Sequence, residues 1–186
     1  MILSAAAIAF CLKTFVAQAF YIPSESMTPQ LQVNDRVLVS KVSYRLHRPN
    51  RGDIVVFDCP RSSCRHEQEG GNAVARFLRA VGEGVGVIQP STEEFIKRVI
   101  GLPGETLEAR EGDIYVDGRR LVEPYLPAGT RTVNLPATRV PVGRLFVMGD
   151  NRGNSSDSRV FGPIARSTVV GRTILKVWPL PDASFL

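Results

Sequence analysis

Ser26 is the residue of this sequence whose setting best suits nucleophilic chemistry. It lies in the turn Ile22–Pro29 (IPSESMTP), in which a proline on each side restricts the backbone. Such a constrained turn could aim a hydroxyl and an amide N–H at one point, as nucleophilic catalysis by serine requires. A polar turn with capping serines explains the same segment without any chemistry, and the segment alone does not decide between the two.

A serine nucleophile needs a base that takes its proton. The two histidines, His47 and His66, lie in a basic turn and in a polar loop, and no G-x-S-x-G motif is present. These features disfavour a Ser-His-Asp triad, although spacing alone does not exclude one.

Lys97 is the other candidate base. A lysine base must be neutral, so its pKa must fall from about 10.4 towards about 7–8, and desolvation must lower it. Lys97 lies in the apolar run Phe95–Ile100, where strand alternation places it on one face with Phe95 and Val99. An edge-strand lysine that discourages aggregation is the alternative interpretation.

Short strands must position these residues, because the chain has 16 glycines and 13 prolines among 186 residues and little helical periodicity. We therefore predict a mainly β fold with a short inserted helix over Ala73–Val81 and a loop over Asn134–Val142. Asp117-Gly118 predicts a two-residue hairpin turn. The strands are predicted at 14–22, 35–42, 53–57, 95–100, 113–116, 145–148 and 169–178.

The N-terminus is predicted to be a membrane segment. Ile2–Leu12 is an uncharged apolar run, but a full span needs about 20 apolar residues and Lys13 interrupts this one. A cleaved signal peptide would begin with a charged region, which is missing, and a complete span would bury Lys13. We favour a third interpretation, in which Lys13 marks the exit from the bilayer and Met1 stands partway along the helix.

The remaining composition argues against several other functions. The net charge of +5 comes with scattered arginines and without interleaved aromatics, so no nucleic-acid binding is expected. Cys59, Cys64 and His66 are too few for a closed zinc site, so we expect no metal and no cofactor. Cys59 and Cys64 could form a disulfide in an extracytoplasmic domain. The glycines of 82–86 imitate part of a dinucleotide fingerprint, but they follow a helical pattern instead of a strand.

Four segments, read together and in their order along the chain, resemble those of the type I signal peptidases. These are the Ser/Lys proteases that remove signal peptides from exported proteins. The segments are Ile22–Pro29, Arg51–Phe57, Phe95–Gly104 and Gly149–Arg159. The resemblance implies a signal-peptidase-like β-sheet or barrel domain at 14–186, with a membrane anchor at 1–13 and an insertion at 59–91. It also implies that the domain lies outside the cytoplasm on a single-pass anchor.

The resemblance also implies residue roles. Ser26 would be the nucleophile, Lys97 the general base, and Ser155 the group that orients the lysine. The Ser26 N–H and the Ser24 hydroxyl would form the oxyanion hole. Supporting roles would fall to an Asp157–Arg159 ion pair and to Asp150 and Arg152, which would hold the same loop.

Preproteins with an A-x-A-like site would be the substrates, bound extended as an added strand near Pro23 and Phe95, at the surface of membrane lipid. No other partner is expected, and the enzyme would be a monomer. By similarity, the following residues would line shallow apolar pockets for the small side chains: Phe20, Ile22, Pro23, Met27, Leu31, Val37, Val56, Phe95 and Ile96.

Gly153 departs from the pattern, since the family often has an aspartate there. Two other functions remain open from the sequence. A self-cleaving repressor-like protease shares the Ser/Lys pair but needs a DNA-binding domain or a cleavable linker upstream. A non-catalytic, membrane-anchored β module would make the Ser26, Lys97 and Ser155 segments incidental.

Overall fold

The computed structural model describes residues 17–60 and 94–186, and this part of the chain is mainly β, as predicted. The predicted membrane segment 1–13, the predicted helix Ala73–Val81 and almost all of the predicted insertion 59–91 lie outside these residues. Among the helices of 17–60 and 94–186, none is long and apolar enough to cross a membrane.

The described chain consists mainly of short strands joined by loops, hairpin turns and single helical turns. The strands are β1 (Ala17–Tyr21), β2 (Arg36–Ser40), β3 (Ile54–Asp58), β4 (Glu94–Gly101), β5 (Thr106–Arg110), β6 (Asp113–Val116), β7 (Arg119–Arg120), β8 (Leu135–Arg139), β9 (Arg144–Met148), β10 (Ile164–Ala165), β11 (Val169–Trp178) and β12 (Ser184–Phe185). The α-helical turns are α1 (Ser43–Leu46) and α2 (Ser158–Phe161), and the 3-10 turns are Glu25–Met27, Arg166–Thr168 and Leu180–Asp182.

The larger sheet has the order β1-β2-β11-β3-β4-β9-β10, and β12 pairs with β11. β4 lies inside this sheet: Val55 pairs with Lys97 on one side, and Met148 pairs with Arg98 on the other. An inner strand is buried on both faces, and every residue of β4 from Ile96 to Gly101 is buried. A lysine that discourages edge-to-edge aggregation must be exposed, but only 4% of Lys97 is exposed, so that interpretation is wrong although β9 pairs with β4 only from Arg98 onwards.

The smaller sheet has the order β7-β6-β5-β8. Its β6–β7 hairpin turns at Asp117-Gly118, and both residues have positive φ, 48° and 76°. This is the geometry of a two-residue type I′ turn, and the hairpin prediction is confirmed. Leu107 and Ile114 of this sheet share a core with Phe146 of the larger sheet.

Five of the twelve strands are missing from the predicted ranges: β5, β8 and the two-residue strands β7, β10 and β12. β5 was not identified, and β8 lies inside Asn134–Val142, which was predicted to be a loop. β8 contains Pro136 and pairs only with β5 at the edge of the smaller sheet, where a missing N–H is tolerated. Tertiary pairing therefore makes a strand of a segment whose composition favours a turn.

Candidate active site

The turn that carries Ser26 joins β1 to β2. Its start is held by the hydrogen bond from the Ile22 N–H to the Asp35 carbonyl, at 2.9 Å, and Glu25–Met27 then form one 3-10 turn. Met27 is fully buried and anchors the turn in the core, while the Ser26 side chain faces β4. Asn151 fixes the turn from the opposite side, since its N–H donates to the Ser26 carbonyl at 3.1 Å.

Lys97 reaches Ser26 across 71 positions of sequence. The Lys97 Nζ donates to the Ser26 Oγ at 2.7 Å and to the Ile96 carbonyl at 2.8 Å. Both side chains are shielded from solvent, with only 4% of Lys97 and 7% of Ser26 exposed. When the amine loses its proton, its lone pair can accept the serine proton over the same short distance, so the pair has the geometry of a nucleophile and its base.

The surroundings of Lys97 favour its neutral form. Burial lowers the pKa of the Lys97 amine from 10.5 to about 8, and the carboxylates of Asp157 and Asp150 oppose part of that shift. A difference of this size corresponds to about 3 kcal/mol against the ammonium. At pH 7 about a tenth of the amines are then deprotonated, far more than for an ordinary lysine.

Ser24 and Ser155 stand on either side of the Ser26–Lys97 pair. The Ser24 Oγ lies 3.2 Å from the Ser26 Oγ, as a hydroxyl that contributes to an oxyanion hole could. The predicted hydrogen bond from Ser155 to Lys97 is not formed. The Ser155 Oγ is buried and has no hydrogen-bond partner among the described residues, and it packs tightly against Gly149.

The ion pair expected in the Gly149–Arg159 loop is present. Asp157 pairs with Arg159 at 2.7 Å and accepts the Gly149 N–H at 3.0 Å. Burial alone would raise the pKa of Asp157, but these bonds outweigh it and the pKa lies below its ordinary value. The loop is thereby fixed beside the nucleophile.

Asp150 and Arg152 share a backbone hydrogen bond at 2.9 Å, but their side chains form ion pairs with residues outside the loop. Asp150 accepts two hydrogen bonds from Arg98, at 2.8 and 2.7 Å, and Arg152 pairs with Glu123. Sequence reasoning missed Arg98, although it adjoins Lys97, and it missed Glu123, which lies in no recognised motif. Buried arginines need carboxylate partners, and that requirement was the available signal.

An open cavity of about 440 Å³ lies next to the Ser26–Lys97 pair. Six of the predicted substrate-pocket residues line it: Phe20, Ile22, Pro23, Val56, Phe95 and Ile96. The other three, Met27, Leu31 and Val37, do not line it, because they are fully buried in the core that supports its wall. Glu25, Asn154 and Ser156 stand at its polar side and were not predicted.

The cavity also borders an open strand edge. β3 covers one edge of Phe95, Ile96 and Lys97, whereas β9 pairs with β4 only from Arg98 onwards. No strand in 17–60 or 94–186 pairs with the second edge of these three residues. An extended peptide could add there as a further strand.

No group of three or more metal-binding side chains occurs in the described part of the chain. Cys59 follows β3 and is disulfide-bonded, and its partner lies outside the described residues.

Known proteins resemble this chain over most of its length. The family model described as signal peptidase, peptidase S26, matches residues 1–178. The probable signal peptidase I-1 of Synechocystis is 41% identical over 179 residues, which cover 96% of this chain and 80% of that protein. The signal peptidase I of Leptolyngbya laminosa is 39% identical over 173 residues, covering 93% of this chain and 74% of that protein.

A crystal structure of a signal peptidase I from Enterococcus faecalis is also similar, with 29% identity and a TM-score of 0.47, covering 68% of this chain and 97% of that one. The family match decides against the repressor-like protease and the non-catalytic module that were considered from the sequence. The chain belongs to the signal peptidase family, peptidase S26, and is a serine endopeptidase of the signal peptidase type.

Proposed function

We propose that this peptidase removes signal peptides from exported preproteins, with Ser26 as nucleophile and Lys97 as general base. One observation carries the assignment: a buried amine of lowered pKa lies 2.7 Å from a serine hydroxyl beside an open apolar cavity. The names of the related proteins support the substrate class.

The reaction would proceed in two steps. Neutral Lys97 takes the Ser26 proton as the Oγ attacks the scissile carbonyl carbon, and the negative oxygen that forms is stabilised by the Ser26 N–H and the Ser24 hydroxyl. The C–N bond then breaks, and the ammonium of Lys97 gives its proton to the leaving amine. A water molecule, activated by the same amine, hydrolyses the acyl-serine ester and frees the signal peptide.

The cavity supports the choice of substrate. Its apolar lining from Ile22, Val56 and Ile96 leaves room for small side chains near the scissile bond, which agrees with an A-x-A site. The open edge at Phe95–Lys97 would bind the substrate as an added strand, so that residues −1 and −3 point to the same face.

The setting of the enzyme follows from its substrates. A signal peptide is apolar and lies in the bilayer, so the site would work at the surface of membrane lipid, outside the cytoplasm, on a single-pass anchor formed by 1–13. We propose a monomer, since one chain supplies both members of the Ser26–Lys97 pair.

Cleavage of a preprotein with an A-x-A site in detergent tests the proposal. Wild-type protein should cut after the last small residue, as mass spectrometry of both products would show. Ser26→Ala and Lys97→Ala should leave the preprotein intact although both variants fold. Equal cleavage by either variant would remove that residue from the mechanism, and cleavage at another sequence would refute the substrate assignment.

A further inference from the structure

Glu123 and Tyr125 lie outside every motif that identified the site, yet they hold the two buried arginines next to it. Both belong to the segment that connects β7 to β8 of the smaller sheet. The Glu123 carboxylate binds Arg152 through two hydrogen bonds, at 2.5 and 2.9 Å, and the Tyr125 hydroxyl donates to Glu123 at 2.6 Å. The Tyr125 ring lies under the Arg98 guanidinium, 3.9 Å from it.

Each arginine is linked to the reacting groups through one neighbouring residue or peptide bond. Arg98 follows Lys97 in β4 and binds Asp150. Arg152 donates to the Gly149 carbonyl at 3.2 Å, and its own carbonyl accepts from Arg159 at 2.7 Å. Gly149 packs against both the Ser155 hydroxyl and the Ser26 carbonyl, so a shift of Arg152 would be transmitted to the nucleophile.

Burial makes these contacts strong. Only 1% of the Arg152 side chain and 12% of the Glu123 side chain are exposed, so the guanidinium has little access to water as a substitute partner. Thr132, from the same connecting segment, accepts a further hydrogen bond from Arg152 at 3.0 Å. Three side chains of one segment therefore converge on the buried arginines.

We propose that Glu123 and Tyr125 are positioning residues for the proteolytic reaction, acting through Arg152 and Arg98 on the Ser26–Lys97 pair. The smaller sheet then contributes to catalysis, because the segment between its strands β7 and β8 supplies Glu123, which neutralises Arg152 in the Gly149–Arg159 loop. The expected effect on kcat rests on the proposed function. The expected effect on the pKa of Lys97 does not, because it can be measured without substrate.

The electrostatic consequence has a defined sign. Among the described residues, the charged groups that act on Lys97 are the carboxylates of Asp157 and Asp150, and both favour its protonated form. Asp150 also interacts with Arg152. Without the Glu123 charge, Arg152 presents an uncompensated positive charge and competes for Asp150, and both effects make protonation of Lys97 harder. Glu123→Gln should therefore lower the pKa of Lys97.

Two readouts of Glu123→Gln test the inference. The first is the titration of the Lys97 side chain by ¹³C-lysine NMR, which needs no substrate and is tractable because the chain has four lysines. The titration midpoint should move to lower pH by about half a unit or more. The second is kcat, which should fall by about tenfold or more with KM changed less than about threefold, as expected when geometry and not binding is lost.

Glu108→Gln is the matched control. Glu108 also pairs with an arginine of the smaller sheet, Arg110, at 3.6 Å, but that pair is largely exposed. This variant should match wild type in both readouts. Tyr125→Phe keeps the ring under Arg98 and loses one hydrogen bond to Glu123, so its kcat should fall less than that of Glu123→Gln.

An unchanged Lys97 titration and an unchanged kcat in folded Glu123→Gln would overturn the inference, whether or not Ser26 is the nucleophile. A failure of the proposed function would give a different result, because the Ser26→Ala variant would then still cleave the preprotein. Should Glu123→Gln fail to fold, Thr132→Val removes a second Arg152 contact without changing shape or charge. That variant should lower kcat severalfold at constant KM, and wild-type kcat in it would overturn the inference.

Discussion

The Lys97 amine meets the Ser26 hydroxyl at 2.7 Å, at the part of β4 where β3 pairs on one edge and the pairing with β9 has not yet begun. Only 4% of Lys97 is exposed, and this burial is the largest cause of its lowered pKa. The fold therefore supplies both the short distance and the protonation state that a lysine base needs.

The pH dependence of cleavage should reflect Lys97. Because the base must be neutral and its pKa is about 8, kcat/KM should rise with pH and reach half of its plateau near pH 8. Cleavage rates from pH 6 to pH 10 would measure this midpoint. A rate that is independent of pH across this range would contradict a lysine base.

Lys97→Met should be inactive but more stable than wild type. The folded-state pKa of Lys97 lies below its unfolded value, so between about pH 8 and pH 10.5 the unfolded chain holds a proton that the folded chain has released. The contribution of Lys97 to the free energy of unfolding therefore rises with pH between about pH 8 and pH 10.5. Below about pH 8, the full cost of burying the ammonium destabilises the folded protein.

Removing that charge should raise the unfolding free energy at pH 7 by about 1–3 kcal/mol, less than the full cost because the hydrogen bonds to Ser26 and Ile96 are lost as well. Urea unfolding at pH 7 and pH 10 would measure the difference in unfolding free energy between Lys97→Met and wild type. This difference should be smaller at pH 10 than at pH 7. Lys41→Met, at a half-buried position after β2, is the control and should show no such narrowing. A less stable Lys97→Met protein at pH 7 would contradict the account.

Gly149→Ala should abolish most activity. A Cβ at this position would lie 2.6 Å from the Ser155 Cβ and closer still to the Ser26 carbonyl, so either the nucleophile turn or the Ser155 segment must move. We expect kcat to fall by about 100-fold or more, because displacement of about 1 Å has this effect. Gly153→Ala is the control: a Cβ there meets nothing within 4 Å, and activity should stay within about threefold of wild type. Equal activity of the two variants would refute this role for Gly149.

Ile96→Ala should relax the preference for small residues near the cut. Ile96 lines the cavity, and its truncation makes room for valine or leucine at −1 or −3. Competition between preproteins should show the relative kcat/KM for the larger residue rising by about tenfold or more. Val37→Ala truncates a core residue that does not line the cavity, so stability should fall while selectivity stays constant. A selectivity change in Val37→Ala alone would reverse this assignment.

Ser26 and Lys97 could be singled out from their segments, but only the four segments read together assigned them the roles of nucleophile and base. The strand of Lys97 was equally clear, since Phe95–Ile100 is a dense apolar run. Alternation along one strand does not tell which strands flank it, however, so the inner position of β4 could not be foreseen. The same limit applies to Val37, whose apolar side chain fits a pocket wall and a core equally well.

Long-range charge pairing was the part that the sequence could not predict. Asp150 and Arg152 were expected to hold one loop, but the sequence did not show that their side chains bind Arg98 and Glu123, 52 and 29 positions away. Which carboxylate neutralises a buried arginine depends on how the two sheets meet. That arrangement follows from the shared core of Leu107, Ile114 and Phe146 and not from any local motif.

The central claim is that a neutral lysine takes the proton of Ser26, and the most direct test is single-turnover cleavage of an A-x-A preprotein by Lys97→Arg. Arginine keeps the positive charge and much of the length of lysine, but its guanidinium is not deprotonated at usable pH. We predict cleavage no faster than by Ser26→Ala at every pH from 6 to 10. Turnover near the wild-type rate would contradict lysine as the base.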